Sequence, residues 1–211
     1  MNQPQPIHFK STLAEDGFEI LRGWVQLDMV SQLAHEMLQL NEESPYQAYD
    51  LAKKLPIVHR LIGDPRWTLL FMKAGFQRQP VIESYGVRID RANDPSHMAP
   101  YHQECAYQPG SGLGFWTPLQ NMTPELGPLE IAIGSHRLGR LPLSEKRPDG
   151  NVEPYARLIK NEDIILDGLV IEKPLLNLGD LLLLDWNVLH KSGMNISDKP
   201  RLSLVWRMIE A

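Results

Sequence analysis

The sequence predicts an α+β fold that is mainly β, a jelly roll fronted by a layer of packing helices. Two features of its texture point there. Through the first third of the chain, apolar residues recur at three- and four-residue spacing. From Val81 onward, short apolar or alternating runs are punctuated by Gly, Pro, Asn and Asp. Helices are expected over about 25–75 and strands over about 80–211. All 211 residues are read as a single domain, large enough to bury roughly 70% of its unfolded surface.

Val25–Glu43 places Leu27, Val30, Leu33, Ala34, Met37, Leu38 and Leu40 on the stripe of an amphipathic helix, with Asn41, Ser44 and Pro45 ending it. A second helical stretch covers Ala48–Leu61 with a break at Pro56. A third begins at Asp64-Pro65, where Asp caps and Pro suits the first turn, and it carries Trp67, Leu70 and Phe71 inward. Strands are expected at Val81–Asp90, Ala99–Tyr107, Gly112–Gln120, Leu129–Ile133, Leu169–Glu172, Asp180–Asp185 and Leu202–Ile209, a set that suits a jelly roll. Leu143–Tyr155 carries Ser144, Pro148, Gly150 and Pro154 among mixed charges. It reads equally as a solvated loop and as a lid over a barrel mouth.

A formal charge of -5 with no long Lys/Arg run argues against a nucleic-acid partner and leaves a small-molecule substrate as the default. No apolar stretch approaches the ~18 residues of a membrane span, and Met1–Lys10 is too polar for a signal segment, so no membrane partner is expected and the location is read as cytoplasmic. The single cysteine, Cys105, cannot form an internal disulfide and is read as small buried packing. Oligomeric state has no signature here.

Chemistry concentrates in His102, Glu104, His190 and Arg201. An H-x-E pair alone means little, since seven His and 26 acidic residues in 211 generate roughly one such pair by chance. Its context is more telling. On a strand, positions two apart share a face, so His102 and Glu104 can grip one ion while Gln103 turns away or leans along the rim. Two imidazoles and one carboxylate hold one side of a divalent metal and leave positions for a chelating cosubstrate and O2. Arg201, Ser203, Val205 and Arg207 share one strand face and Leu202, Leu204, Trp206 and Met208 the other, so the first set lines a polar interior where Arg201 and Ser203 can hold an anion. His190 is placed at the end of the strand that begins with Leu181–Leu184, and Arg201 opens the returning strand after turn residues Gly193, Asn195, Asp198 and Pro200. Among the remaining histidines, His8, His35 and His59 read as structural or solvated. His136 reads as fixing a turn, and His97 as a substrate contact at the mouth.

In this order, these blocks resemble the phytanoyl-CoA dioxygenase family of iron(II)/2-oxoglutarate-dependent oxygenases. Asp16–Gly23 is similar to the family's first strand, His102-Gln103-Glu104 to its H-Q-D, and Phe115–Leu119 to its W-x-x-L strand. Gly127–Arg137 resembles the block ending in G-S-H-[RK], and Gly179–His190 followed by Asn195 and Arg201–Leu204 resembles the closing motif. The resemblance implies a double-stranded β-helix (cupin-like jelly roll), Fe(II) on His102, Glu104 and His190, and the distal carboxylate of 2-oxoglutarate on Arg201. Ser203, Gln103 and Trp116 are implied as further cofactor-pocket residues. The implied reaction takes 2-oxoglutarate and O2 to succinate and CO2 while hydroxylating an unactivated C–H bond of a small metabolite.

One departure is Glu104, where the family usually has Asp; the extra methylene shifts the carboxylate by about 1.5 Å. Because a carboxylate is retained, halogenation is disfavoured. Candidate substrate anchors are Arg88, Arg91, Tyr101, Tyr107, Arg137, Arg157 and Arg207. Two alternatives stay open: a cupin-like metal enzyme that does not use 2-oxoglutarate, and a non-catalytic protein that binds 2-oxoglutarate or another ligand.

Overall fold

A computed structural model describes residues 12–43, 48–95, 98–107, 110–144 and 158–211. A short helix α1 (Thr12–Asp16) and strand β1 (Phe18–Leu21) lead into α2 (Leu27–Glu43), α3 (Ala48–Lys53), α4 (Pro56–Ile62) and α5 (Pro65–Lys73). The expected break at Pro56 is the start of α4. Asp64 caps α5 by accepting from the Arg66 amide at 2.9 Å, with Pro65 in the first turn.

The strands that follow are β2 (Pro80–Asp90), β3 (Gly112–Pro118), β4 (Glu130–Ala132), β5 (Ile171–Glu172), β6 (Leu181–Asp185), β7 (His190–Lys191) and β8 (Arg201–Glu210), with a short helix α6 (Glu162–Leu166) before β5. They form a five-stranded antiparallel sheet in the order β1-β6-β3-β8-β2 and a three-stranded sheet in the order β5-β4-β7. The fold is thus mostly antiparallel β with a few helices, as expected, and the described strands form two sheets that do not close into a barrel.

The period-two pattern of β8 separates the two faces of the large sheet. Leu202, Leu204, Trp206 and Met208 join Phe115, Leu181 and Leu183 in a core with the helices, against Leu33 and Met37 of α2 and Trp67 and Phe71 of α5. Trp206 stacks on Phe115 with centroids 5.0 Å apart, and Trp67 lies 5.3 Å from Trp206. The opposite face turns Trp116, Leu182, Leu184 and Val205 toward Leu129, Ile131 and Val188 of the smaller layer. This leaves the polar members of β2 and β8 facing the space between the sheets.

Two expectations are corrected. Ala99–Tyr107 does not form a strand: His102 makes an isolated bridge with His190, and Glu104–Ala106 is a 3-10 turn. Its partner β7 is only two residues long and pairs on its other side with β4, so no ladder can extend. His190 also does not end β6. At Asp185 the chain turns, with the Val188 amide on the Asp185 carbonyl and the Asn187 amide on the Asp185 carboxylate, and it crosses to the other sheet. Helix α6 has no counterpart in the sequence reading. The expected loop or lid at Leu143–Tyr155, together with His8, His97 and Arg157, falls mostly or wholly outside the described residues.

Gln103 holds the strandless segment in place. Its amide nitrogen donates to the carbonyls of Gly139 (2.8 Å) and Asn187 (2.6 Å), and its oxygen accepts from the Leu141 amide (2.8 Å). Gln103→Ala would strand these buried groups and is expected to lower the unfolding free energy by at least about 2 kcal/mol. Gln103→Glu, which keeps the shape but removes the donor, is expected to lose a comparable amount. Urea denaturation checks both, and unchanged midpoints for the two variants would contradict the clamp.

Candidate metal and anion site

His102 and His190 meet because their backbones pair: the His102 amide donates to the His190 carbonyl at 3.0 Å and the reverse bond is 3.2 Å. Directly paired antiparallel residues project side chains to one face. The imidazole centroids accordingly lie 4.3 Å apart. Glu104 enters from the 3-10 turn that follows, which the Cys105 amide ties to the Trp186 carbonyl at 3.1 Å. Ligand-capable atoms of the three residues all lie within 4.8 Å of one another, and all three side chains are buried.

Each imidazole is oriented by its own chain. Nδ1 of His102 sits 2.8 Å from the Pro100 carbonyl, and Nδ1 of His190 sits 3.1 Å from the Val188 carbonyl. A carbonyl accepts only, so Nδ1 carries the proton and the Nε2 lone pair is left for the cluster. Nε2 of His190 lies 3.9 Å from Oε1 of Glu104, too far for a hydrogen bond. No proton bridges that gap.

Burial pushes the His190 imidazolium down to about 3, helped by His102 beside it, and burial likewise lowers His102. Burial alone would raise the Glu104 carboxyl. The guanidinium of Arg207, with Nε 2.6 Å from Oε2, overrides it and holds Glu104 down at about 2. The cluster therefore presents two neutral imidazoles and one carboxylate, the donor set of an oxygen-using iron centre.

Arg201 opens β8 and is buried to 2% exposure. Its Nε and Nη2 donate to Oδ2 of Asp90, at 3.1 and 2.8 Å, and its Nη1 donates to the carbonyls of Gly127 and Gly193. Those carbonyls come close because Gly127 is left-handed (φ 69°) and a Cβ at either glycine would strike the backbone of the other segment. Four of the five guanidinium N–H groups are thus engaged, leaving one on Nη2. Ser203, two residues on, is buried, and its hydroxyl has no hydrogen-bond partner among the described residues. The other oxygen of Asp90 accepts from Arg88 at 2.8 Å. Burial opposes ionisation of Asp90, but Arg88 and Arg201 win and lower its pKa.

The cluster of His102, Glu104 and His190 lines, with Arg201, Trp116 and Ser192, one cavity of about 300 Å³. Of the sequence candidates, the structure brings His102, Glu104, His190, Arg201 and Trp116 to this cavity and sets Ser203 beside Arg201 on the inward face of β8. Gln103 is turned away from it and is completely buried, so the structure gives it a clamping place rather than a pocket one. Among the proposed substrate anchors, Arg88, Tyr107 and Arg207 line the cavity, whereas Arg91, Tyr101 and Arg137 do not. His136 is held to the Ala14 carbonyl, at a turn rather than in the cavity.

Asp90 and Ser192 escaped the sequence reading. Arg88-x-Asp90 does carry a signal, two opposite charges at period two at the end of β2, facing Ser203 and Arg201 in register.

Comparison with known proteins agrees with this geometry. The family model described as Phytanoyl-CoA dioxygenase (PhyH) matches residues 90–203. A protein of Bos taurus, phytanoyl-CoA dioxygenase domain-containing protein 1, is 30% identical over 160 residues, 74% of this chain and 54% of its own length, so the chain spans about half of that relative. The epimerase SnoN, solved with Fe3+, alpha ketoglutarate and nogalamycin RO, aligns at TM-score 0.75 and 20% identity over 95% of this chain and 82% of its own. EctD from S. alaskensis, solved with 2-oxoglutarate and 5-hydroxyectoine, aligns at 0.71 and 19% over 95% and 74%. At such identities the two structures establish the fold, a cupin-like jelly roll. With more than half of its residues matched by the family model, from the partner of Arg201 to Ser203, the chain belongs to the phytanoyl-CoA dioxygenase family.

Proposed function

We propose that this protein is an Fe(II)- and 2-oxoglutarate-dependent dioxygenase that hydroxylates an unactivated C–H bond of a small molecule, releasing succinate and CO2. The observation that carries this reading is the sharing of one cavity by two very different groups: the buried His102, Glu104 and His190 cluster, and Arg201 with its uncommitted N–H. The residues fit the absent groups. His102 and His190 would bind iron through Nε2 and Glu104 through Oε1. Ser203, an orphaned buried hydroxyl, and Arg201 would hold the distal carboxylate of 2-oxoglutarate.

Three protein ligands on an ion that takes six leave room for the 2-oxo acid and for O2. Iron so loaded supplies the oxidising power for C–H cleavage, with succinate and CO2 as coproducts. The chain itself supplies placement. The two Nδ1 hydrogen bonds fix both imidazole planes, and the Asp90 carboxylate with the Gly127 and Gly193 carbonyls fixes the guanidinium in advance of binding. Trp116, Leu129, Leu184 and Val205 form an apolar wall that keeps water from the reacting centre. Glu104 and the two imidazoles already have the protonation states that a cation needs, so no proton has to leave them near neutral pH.

Turnover tests the reading. Purified protein with Fe(II), ascorbate and 2-oxoglutarate is expected to release succinate in a substrate-stimulated way when offered metabolite pools, with 18O from 18O2 in the product. Stimulated succinate without 18O in the product would replace hydroxylation by an outcome such as epimerisation, the reaction for which SnoN is named. Turnover with no succinate would favour a metal enzyme that does not use 2-oxoglutarate. Arg201→Lys keeps the charge but loses the fork, and the KM for 2-oxoglutarate is expected to rise roughly 30-fold, about 2 kcal/mol. An unchanged KM would remove Arg201 from the site.

The protonation states also set a pH dependence. His102 and His190 are held below the ordinary 6.5, so as pH falls below 6.5 the unfolded chain takes up protons that the folded chain refuses. Glu104, held at about 2 against an ordinary 4.5, adds stability above 4.5 that is lost as pH falls toward 2. Both act in one direction. The Tm of metal-free protein is expected to be flat above about pH 7 and to fall from about pH 6.5 downward, with added Mn(II) raising it near neutrality. A Tm unchanged between about pH 7 and 5 would contradict the buried neutral pair.

A further inference from the structure

Glu104 is divided between two partners. Its Oε2 receives the Arg207 Nε–H at 2.6 Å, while its Oε1 faces Nε2 of His190 at 3.9 Å. The carboxylate is 3% exposed, so this bond is made where water competes little. Arg207 sits on the inward face of β8, and the residues directly opposite it, Ser84 on β2 and Gly114 on β3, are both small. A guanidinium can therefore cross from the large sheet to the loop that bears two of the metal-site residues.

Glu has one more rotatable bond than Asp, and a free glutamate beside a divalent ion can turn both oxygens onto it. Bidentate binding here would fill a coordination position that the cosubstrate or O2 needs. We propose that Arg207 is a positioning residue that reserves Oε2 and so restricts Glu104 to one-oxygen ligation, keeping three positions on the metal open. This rests on the metal reading of the preceding subsection.

Electrostatics alone would make Arg207 unfavourable in this place, because a cation near a divalent metal lowers its affinity. Its removal therefore separates two roles. If Arg207 served only the fold or the ionisation of Glu104, its loss would weaken metal binding. If it holds Oε2, its loss frees a second ligand oxygen and removes a repelling charge, so the metal binds as well or better but with fewer open positions.

The test uses Mn(II) without 2-oxoglutarate, at one neutral pH, on wild type, Arg207→Gln, Arg207→Lys, Glu104→Asp and the Glu104→Asp/Arg207→Gln double variant. Affinity is read by EPR titration and bound water by 17O-broadened EPR, with circular dichroism confirming the fold. Arg207→Gln is expected to bind Mn(II) with unchanged to about tenfold greater affinity and with one fewer water. Arg207→Lys should keep part of the wild-type water count. In the Glu104→Asp background, where the shorter carboxylate cannot span to Arg207, the Gln substitution should leave the water count unchanged. Overturning results are a wild-type water count in Arg207→Gln, a loss of Mn(II) affinity in it, or the same water loss in both backgrounds. If folded wild type binds no Mn(II), or binds it equally after His190→Ala, the metal reading itself fails and takes this proposal with it; the other overturning results leave that reading standing.

Discussion

The two backbone hydrogen bonds exchanged by His102 and His190 are the constraint on which the rest of the site depends. A segment that is not a strand is pinned at one point to a strand only two residues long, and that single bridge sets two imidazoles side by side, tilted by 50°. Everything around it prevents slippage. Ser135, wholly buried, donates to the Ala132 carbonyl and accepts the Leu189 amide, which fixes β7 one residue before His190. Gln103 anchors the opposite segment between the two ligand positions. Such a bridge would be weak in isolation, and its stability comes from the buried polar groups that converge on it.

Charge is the second organising feature. Arg88, Arg201 and Arg207 face inward from β2 and β8 against the carboxylates of Asp90 and Glu104, three cations to two anions. Burying an ion costs several kcal/mol, and removing one partner leaves the other uncompensated, so these pairs are not ornaments of a stable core. Their arrangement leaves one positive charge in excess near the buried Ser203 hydroxyl, which has no partner among the described residues, and this suits a carboxylate ligand. The opposite face of the same sheet carries the stacked Phe115 and Trp206, with Trp67 of α5 tilted against both. One strand, β8, thus serves both stability and chemistry through its alternation.

Much of this was legible in the sequence, for reasons that are local. Period two along Arg201–Met208 predicts which residues face the cavity, and Asp64-Pro65 and Pro56 predict helix starts, because the determinants lie within a few residues. His102, Glu104 and His190 are legible as a set, but strand alternation is not what brings them together. His102 and Glu104 converge through a bridge and a 3-10 turn, and that depends on where β7 lies after the chain turns at Asp185, a long-range fact. The clamping contacts of Gln103 are hidden for the same reason: its partners Gly139, Leu141 and Asn187 are remote in sequence. Asp90 was missed because a buried acid beside an arginine declares itself only when the register of β2 on β8 is known.

The central claim is that the histidine and glutamate cluster and Arg201 together bind iron and 2-oxoglutarate. Anaerobic absorption spectroscopy tests it most directly. Adding 2-oxoglutarate to the Fe(II)-loaded protein is expected to produce a metal-to-ligand charge-transfer band that saturates at one equivalent and is absent from folded His190→Ala protein. No band from folded wild type, or an equal band from His190→Ala, would contradict it.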